Sequence, residues 1–191
     1  MEFIEDGLYH IYNRGNNKQQ IFFTDENYLF FLKKVRSGLL PHCEILSYCL
    51  MPNHFHLIVL VKRIEDGRIR DLNSAIGILL RSYTRAVQKQ ENIKGSLFQQ
   101  KTKAKKLVGN VNETITYLSV CAHYIYQNPL KAGLVKNLND WAYSSYLDYA
   151  GTRNGTLCNQ ELFYAFAGVD KEQFLIESET FVSDKLQKDL F

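Results

Sequence analysis

Residues 43–62 read CEILSYCLMPNHFHLIVLVK, and this stretch decides the fold. Residues 43–50 and 54–62 are two apolar runs rich in β-branched and aromatic types, which favour strands. Between the two runs stand Pro52 and Asn53, both of which are turn formers. The stretch therefore predicts a β-hairpin.

Outward from this hairpin, the chain alternates strand and helix patterns. The predicted elements are a strand over 7–13, a helix capped by Thr24, a helix over 68–90, a strand over 95–107, and a helix over 112–128 that Pro129 ends. The order β-α-β-β-α-β-α predicts an α+β fold of the ferredoxin-like split β-α-β type. We expect a central antiparallel sheet, helices on one face, and an additional helix that bears tyrosines. In the first helix, the spacing of Leu29, Leu32, Val35 and Leu39 predicts a buried stripe.

The composition is that of an ordinary globular chain. It has 191 residues, 46% of them hydrophobic and 23% charged, with a formal charge of only +3. No pair of cysteines has C-x-x-C spacing, so neither a zinc ribbon nor a thioredoxin-like site is predicted. No segment has the pattern of a signal peptide or a membrane span, so we expect a cytoplasmic protein without a membrane partner.

A pair of histidines heads the second strand of the hairpin. His54 and His56 are two residues apart, so their side chains lie on one face of the strand. Neutral imidazoles are common ligands of divalent metals, which makes the pair a candidate metal site. Because an isolated pair of this kind is more often a structural feature, the assignment needs support from elsewhere in the chain.

The helix over 112–128 carries a second candidate. Tyr124 and Asn128 are one turn apart and share a face. A phenol can act as a nucleophile, and an amide oxygen can complete a metal shell. Considered alone, the same residues fit a packing aromatic and an Asn-Pro helix end.

Six cations form a third candidate, a surface for DNA phosphates. They are Arg14, Lys18, Lys101, Lys103, Lys105 and Lys131. An edge strand protected by lysines accounts equally well for those of the 95–107 strand.

Together these motifs resemble a known family. MPNHFHLIV (51–59) and YIYQNPLKAGLV (124–135) resemble the HUH single-tyrosine transposases, and within them the transposases associated with repetitive extragenic palindromes (REP). NRGNNKQQIF (13–22) and WAYSSYLDYAG (141–151) resemble the same group. The resemblance covers residues 7–151, so we expect a catalytic domain over 1–151 and a C-terminal extension over 152–191.

The resemblance implies a DNA transposase. His54 and His56 would hold one Mg²⁺ or Mn²⁺, and the Tyr124 hydroxyl would attack single-stranded DNA beside a short hairpin, giving a 5′-phosphotyrosine link and a free 3′-OH. Asn128 would supply the third protein ligand, with Gln127 as the second choice. The chain departs from the group at Tyr126, where a histidine is common, which raises a second candidate for the nucleophile. Both a monomer and a homodimer fit the resemblance.

Three other functions fit some of these residues. A nickase of the replication-initiator or relaxase type would use the same chemistry, but the short sequence, without a helicase or origin-binding pattern, and the histidine motif followed by one tyrosine helix argue against it. A domesticated, non-catalytic DNA-binding module would not need Tyr124. A metal-dependent hydrolase would need carboxylates, and none lies near His54 and His56 in the sequence.

Overall fold

The computed structural model describes residues 2–63, 72–107 and 116–180. The elements are β1 (Leu8–Arg14), α1 (Asp25–Leu39), β2 (Cys43–Met51), β3 (His54–Val61), α2 (Leu72–Glu91), β4 (Lys103–Lys106), α3 (Tyr117–Lys131), α4 (Tyr146–Tyr149), α5 (Gln160–Ala167) and α6 (Lys171–Ser178). Parts of the predicted elements, 68–71 and 112–115, and residues 181–191 of the extension lie outside the described residues.

The four strands form one antiparallel sheet in the order β2-β3-β1-β4. This is the order of a ferredoxin-like sheet, so the predicted fold class is confirmed. The hairpin of β2 and β3 turns at Pro52 and Asn53 as predicted.

Helices cover both faces of the sheet. Phe55 of β3 packs on Phe31 of α1 with ring centroids 5.1 Å apart, and Phe31 in turn contacts Tyr83 of α2. On the opposite face, His56 of β3 lies against Tyr124 of α3. The alternation of side chains along β3 therefore sends Phe55 into the core beneath α1 and α2, and its neighbour His56 toward α3.

The buried stripe of α1 differs from the prediction at Leu29 and at Leu32, which is only half-buried. Leu29 is 62% exposed, and Tyr28 and Phe31 are buried instead, together with Val35 and Leu39. The true stripe begins one residue earlier because Tyr28 stacks between Phe22 and Tyr143, with ring centroids 4.4 Å and 3.7 Å away. These aromatic contacts come from distant segments, which helical spacing does not reveal.

Two predicted element bounds were also wrong. The fourth strand is only Lys103–Lys106, since residues 95–102 form a loop held to β1 by the Asn13 side chain. α3 runs through Pro129 to Lys131. A proline in the last turn removes a single N–H donor, and the helix closes three residues later at Ala132, whose N–H bonds the Asn128 carbonyl.

The described part of the C-terminal extension packs on the sheet and on α3. Asn159 N–H donates to the Ile45 carbonyl at 2.8 Å. Phe163 and Phe174 are fully buried, and Phe174 contacts Tyr126 of α3. Residues 152–180 therefore share a hydrophobic core with the rest of the chain, while the boundary at residue 151 stays a prediction.

Candidate active site

The register of the sheet gathers polar side chains on the face beneath α3. Directly paired residues of antiparallel strands point to the same side. Tyr12 pairs with His56 on one side and Lys103 on the other, and Arg14 pairs with His54. Two histidines, a tyrosine and two cations thus lie on one face of three adjacent strands.

This face opens into a pocket of about 360 Å³. Its lining includes six of the residues predicted from the sequence, namely Arg14, His54, His56, Lys101, Lys103 and Tyr124. The His54 and His56 rings are 5.0 Å apart, and the His56 and Tyr124 rings 6.1 Å apart. A single chain therefore brings the two motifs of the sequence into contact.

Asn53 fixes the orientation of His54. The Nδ1 of His54 lies 2.6 Å from Oδ1 of Asn53. An amide oxygen only accepts hydrogen bonds, so Nδ1 carries the proton and donates. Burial lowers the pKa of His54 to about 4, with help from nearby Arg14. At neutral pH the imidazole is therefore uncharged, and its Nε2 carries the lone pair.

His10 plays the corresponding part for His56. His10 Nε2 lies 2.9 Å from His56 Nδ1, and both rings are buried. Burial lowers the pKa of His56 well below its usual value and that of His10 to about 3. The contact is thus a hydrogen bond between two neutral rings. In the tautomer in which His56 Nδ1–H donates to His10, the Nε2 of His56 keeps a lone pair.

The residues that hold this arrangement come from two loops, the segment after β1 and the turn between β2 and β3. Gly15 N–H donates to the Asn53 carbonyl at 2.7 Å, and Ile21 N–H donates to the Pro52 carbonyl. A Cβ at Gly15 would clash with the carbonyl oxygen of Gln19, so only glycine fits there. The NRG segment thereby fixes the MPN turn that presents Asn53 to His54.

The two tyrosines of α3 have different surroundings. Tyr124 is half-buried and lines the pocket. Burial raises the pKa of Tyr124, and the Asn128 side chain opposes the shift. Tyr126 is fully buried on the other side of the helix, where its hydroxyl bonds Ser47 at 2.8 Å and Ser145 at 2.9 Å. Between the two, only Tyr124 can reach a molecule in the pocket.

Neither choice for a third metal ligand lines the pocket. Asn128 is buried one turn beyond Tyr124 and interacts with its hydroxyl. Gln127 faces the C-terminal segment, where its amide donates to the carbonyls of Ser178 and Thr180 at 3.2 Å and 2.7 Å. The choice between Asn128 and Gln127 as the third ligand therefore stays a prediction.

The predicted cations divide into three groups. Arg14, Lys101 and Lys103 line the pocket, and Lys131 places its Nζ 5.3 Å from the centre of the Tyr124 ring. Lys105 pairs with His10 on the same face of the sheet, but outside the pocket. Lys18 is exposed in the loop after β1 and does not line the pocket.

Sequence reasoning missed His10 and Tyr12, whose rings stack 4.7 Å apart on the same face. The signal was present, because His10, Tyr12 and Arg14 alternate along a predicted strand and so share a face. Asn13 and Gln99, which also line the pocket, have no such signal.

The donor set suits a divalent cation bound by few protein groups. His54 and His56 are adjacent, neutral imidazoles, each oriented through Nδ1, which is the usual arrangement of ligating histidines. Residues 2–63, 72–107 and 116–180 contain no group of three or more His, Cys, Asp or Glu side chains placed to bind one metal ion. A cation here would therefore keep several positions for water or substrate oxygens, as Mg²⁺ commonly does.

Known proteins resemble this chain in sequence and in fold. No family model matches the chain. It is 26% identical over 160 residues to a Haemophilus influenzae protein named as a REP-associated tyrosine transposase, an alignment covering 76% of this chain and 82% of the relative. A solved structure described as a REP-associated tyrosine transposase bound to a REP hairpin is 20% identical, covering 83% of this chain and 92% of that one with a TM-score of 0.62. A Deinococcus radiodurans structure described as a transposase is 18% identical, with a TM-score of 0.39 and coverage of 59% of this chain and 85% of that one.

The chain has an α+β, ferredoxin-like fold, and the solved structure of a REP-associated tyrosine transposase shares that fold. The resemblance to the REP-associated tyrosine transposases that was predicted from its motifs is confirmed by these comparisons. Among the helices that the structure describes, none has the length and apolar character needed to cross a membrane.

Proposed function

We propose that the chain is a DNA transposase that cuts and rejoins single-stranded DNA through a covalent link to Tyr124, with His54 and His56 holding one Mg²⁺ or Mn²⁺. The observation that carries the proposal is that one pocket of one chain contains the Tyr124 ring and both imidazoles. The centre of the His56 ring lies 6.1 Å from that of Tyr124 and 5.0 Å from that of His54. A shared phosphate requires a nucleophile and a cation site within a few ångströms of each other.

The Tyr124 hydroxyl is the nucleophile. Its oxygen forms a bond to phosphorus while the bond between phosphorus and the 3′ oxygen breaks. The phenol gives up its proton, and the departing 3′ oxygen takes one up, so the products are a 5′-phosphotyrosine and a free 3′-OH. A second 3′-OH reverses these bonds and rejoins a strand without ATP, because the phosphodiester energy is conserved in the link.

The chain also lowers the barrier to attack. Burial raises the pKa of Tyr124, so the hydroxyl is protonated at neutral pH and must be activated. Lys131 places its Nζ 5.3 Å from the centre of the Tyr124 ring, and the Asn128 side chain opposes the rise in the pKa of Tyr124. Both neighbours favour the phenolate, since a nearby cation and a polar side chain stabilise negative charge. When bound, the metal would neutralise the non-bridging phosphate oxygens and orient the phosphorus for in-line attack.

The substrate we propose is single-stranded DNA next to a hairpin. The solved structure with the same fold is described as bound to a REP hairpin. In this chain, Arg14, Lys101 and Lys103 surround the pocket and suit phosphates. The Tyr12 ring lies 5.7 Å from the Lys103 ammonium and offers a surface on which an unpaired base can stack.

The test is a covalent-adduct assay. Labelled hairpin oligonucleotides with single-stranded flanks are incubated with the protein and Mn²⁺, and then run on a denaturing gel. We expect a protein–DNA band from the wild type and from Tyr126→Phe, the matched control for loss of a phenol on the same helix. Tyr124→Phe should give no band.

Other results would separate the alternatives. Equal bands from Tyr124→Phe and the wild type would remove Tyr124 as the nucleophile. Cleavage without a covalent species would support a hydrolase. DNA binding without cleavage across several hairpins would support a non-catalytic module.

A further inference from the structure

A second, larger groove adjoins the catalytic pocket. It has a volume of about 940 Å³ and lies between α2 and the loop that precedes β4. Three residues, Asn13, Gln99 and Lys101, line both the groove and the catalytic pocket. The two depressions therefore form one continuous surface.

The groove is cationic on one wall. Arg81 and Arg85, one turn apart on α2, line it and are exposed to solvent. Gly77 lies one turn before Arg81 and leaves space for the Arg81 guanidinium. A Cβ added at position 77 would lie only 3.0 Å from a guanidinium nitrogen of Arg81. With Lys101 on the opposite wall, three cations line the groove, and no lining residue in the described ranges is acidic.

The charges of Arg81 and Arg85 are not neutralised within the described part of the chain. Neither forms an ion pair with another residue of the parts that the structure describes. The remaining lining is mostly amide and hydroxyl side chains, such as Thr84, Gln88 and Gln99. Cations mixed with neutral hydrogen-bonding groups suit a sugar-phosphate backbone, which offers negative oxygens at regular intervals.

We infer that the groove binds the DNA strand where it leaves the catalytic pocket, with Arg81 and Arg85 contacting its phosphates. The inference rests on the proposed function, because it takes the pocket to hold the phosphate that is attacked. The shared wall of Asn13, Gln99 and Lys101 gives the strand a continuous path from one depression to the other. DNA that binds elsewhere on the surface, whether duplex or single-stranded, would not require the groove to be joined to the catalytic pocket.

The test compares two double variants of equal charge. Arg81→Gln with Arg85→Gln removes the groove cations. Lys33→Gln with Lys89→Gln is the control, because these exposed lysines lie on α1 and α2 but line neither depression. Binding is measured by fluorescence anisotropy of labelled single-stranded hairpin oligonucleotides in a Tyr124→Phe background, at several salt concentrations. Each oligonucleotide carries its single-stranded flank on either the 5′ or the 3′ side of the hairpin.

We expect the arginine variant to weaken binding on the order of tenfold and to reduce the salt slope by about 1.4, the value for two single-strand phosphate contacts. The loss should appear only when one of the two flanks is present, since the groove receives a strand that leaves the pocket in one direction. The lysine variant should bind like its Tyr124→Phe parent.

Two results would overturn the inference. One is equal weakening by both double variants, which would mean a general effect of charge. The other is an arginine variant that binds every flank as tightly as the parent. Adduct formation by protein with Tyr124 intact is scored separately, so failure of the groove and failure of the catalytic proposal are distinguishable. An adduct with no effect of the arginines overturns only the groove, whereas an arginine effect without any adduct overturns only the catalysis.

Discussion

Replacement of His10 by phenylalanine should weaken metal binding without removing a metal ligand. The change deletes the acceptor of the 2.9 Å hydrogen bond to His56 Nδ1. Phenylalanine has nearly the shape of histidine and can keep the stack on Tyr12, whose ring centre is now 4.7 Å away. The change therefore removes the hydrogen bond to His56 while an aromatic ring stays at this buried position.

The size of the effect follows from the position of that bond. His56 is 5% exposed and His10 is fully buried, so water cannot easily replace the lost partner. Loss of an outer partner of a ligating histidine typically costs 10- to 100-fold in metal affinity. We expect a loss of about this size for Mn²⁺, since the His56 ring would no longer be held in the tautomer with a lone pair on Nε2.

Isothermal titration with Mn²⁺ measures the affinity directly and does not depend on catalysis. His10→Gln should bind nearly as the wild type, because its amide oxygen can still accept from His56 Nδ1. His123→Phe is the control for loss of a buried histidine. Its ring bonds Ser178 and Glu177 instead, on the side away from the pocket.

The reasoning would be refuted by a folded His10→Phe variant that binds Mn²⁺ as tightly as the wild type. It would also be refuted if His10→Gln and His10→Phe lost affinity equally, since the first keeps an acceptor and the second does not. Circular dichroism and urea unfolding establish that each variant is folded.

Three further predictions concern stability. Tyr126→Phe should lower the free energy of unfolding by about 1–2 kcal/mol in urea, because its buried hydroxyl bonds two serines. Asp148→Asn should cost about 3 kcal/mol in the same measurement, because the buried carboxylate pairs with Arg153 at 2.7 Å. His10 has a folded pKa of about 3 against 6.5 when unfolded, so below pH 6.5 only the unfolded chain gains its proton. Stability should therefore fall from pH 7 to pH 5, by about 2 kcal/mol from His10 alone, and pH-dependent urea unfolding of wild type and His10→Phe checks the difference.

Much of the fold could be predicted because local pattern and topology agree. The hairpin carries turn formers between two apolar runs, and the alternation of strands and helices permits few arrangements. The errors came from long-range contacts. Tyr28 takes the place of Leu29 in the core because the Tyr28 ring stacks between Phe22 and Tyr143. The spacing of apolar residues along α1 does not predict either contact.

The site was predictable in part for a similar reason. Alternation on a strand and spacing on a helix place side chains on faces, so His54 with His56, and Tyr124 with Asn128, could be grouped from the sequence. The register between β1 and β3 cannot be predicted from such spacing. The pairing of Tyr12 with His56 and the diagonal contact of His10 with His56 show which residues of β1 support the pocket.

The apolar strand and its histidines are parts of one arrangement. Phe55 is buried beneath α1 and fixes the strand, while His54 and His56 on either side of it point toward α3. Each imidazole is uncharged because it is buried, and each is oriented because a second side chain bonds its Nδ1. Burial alone would leave the rings free to turn, and hydrogen bonds alone would leave them partly protonated near pH 6. The two together provide neutral imidazole donors with a fixed direction, which is what the proposed phosphate-binding cation beside Tyr124 would require.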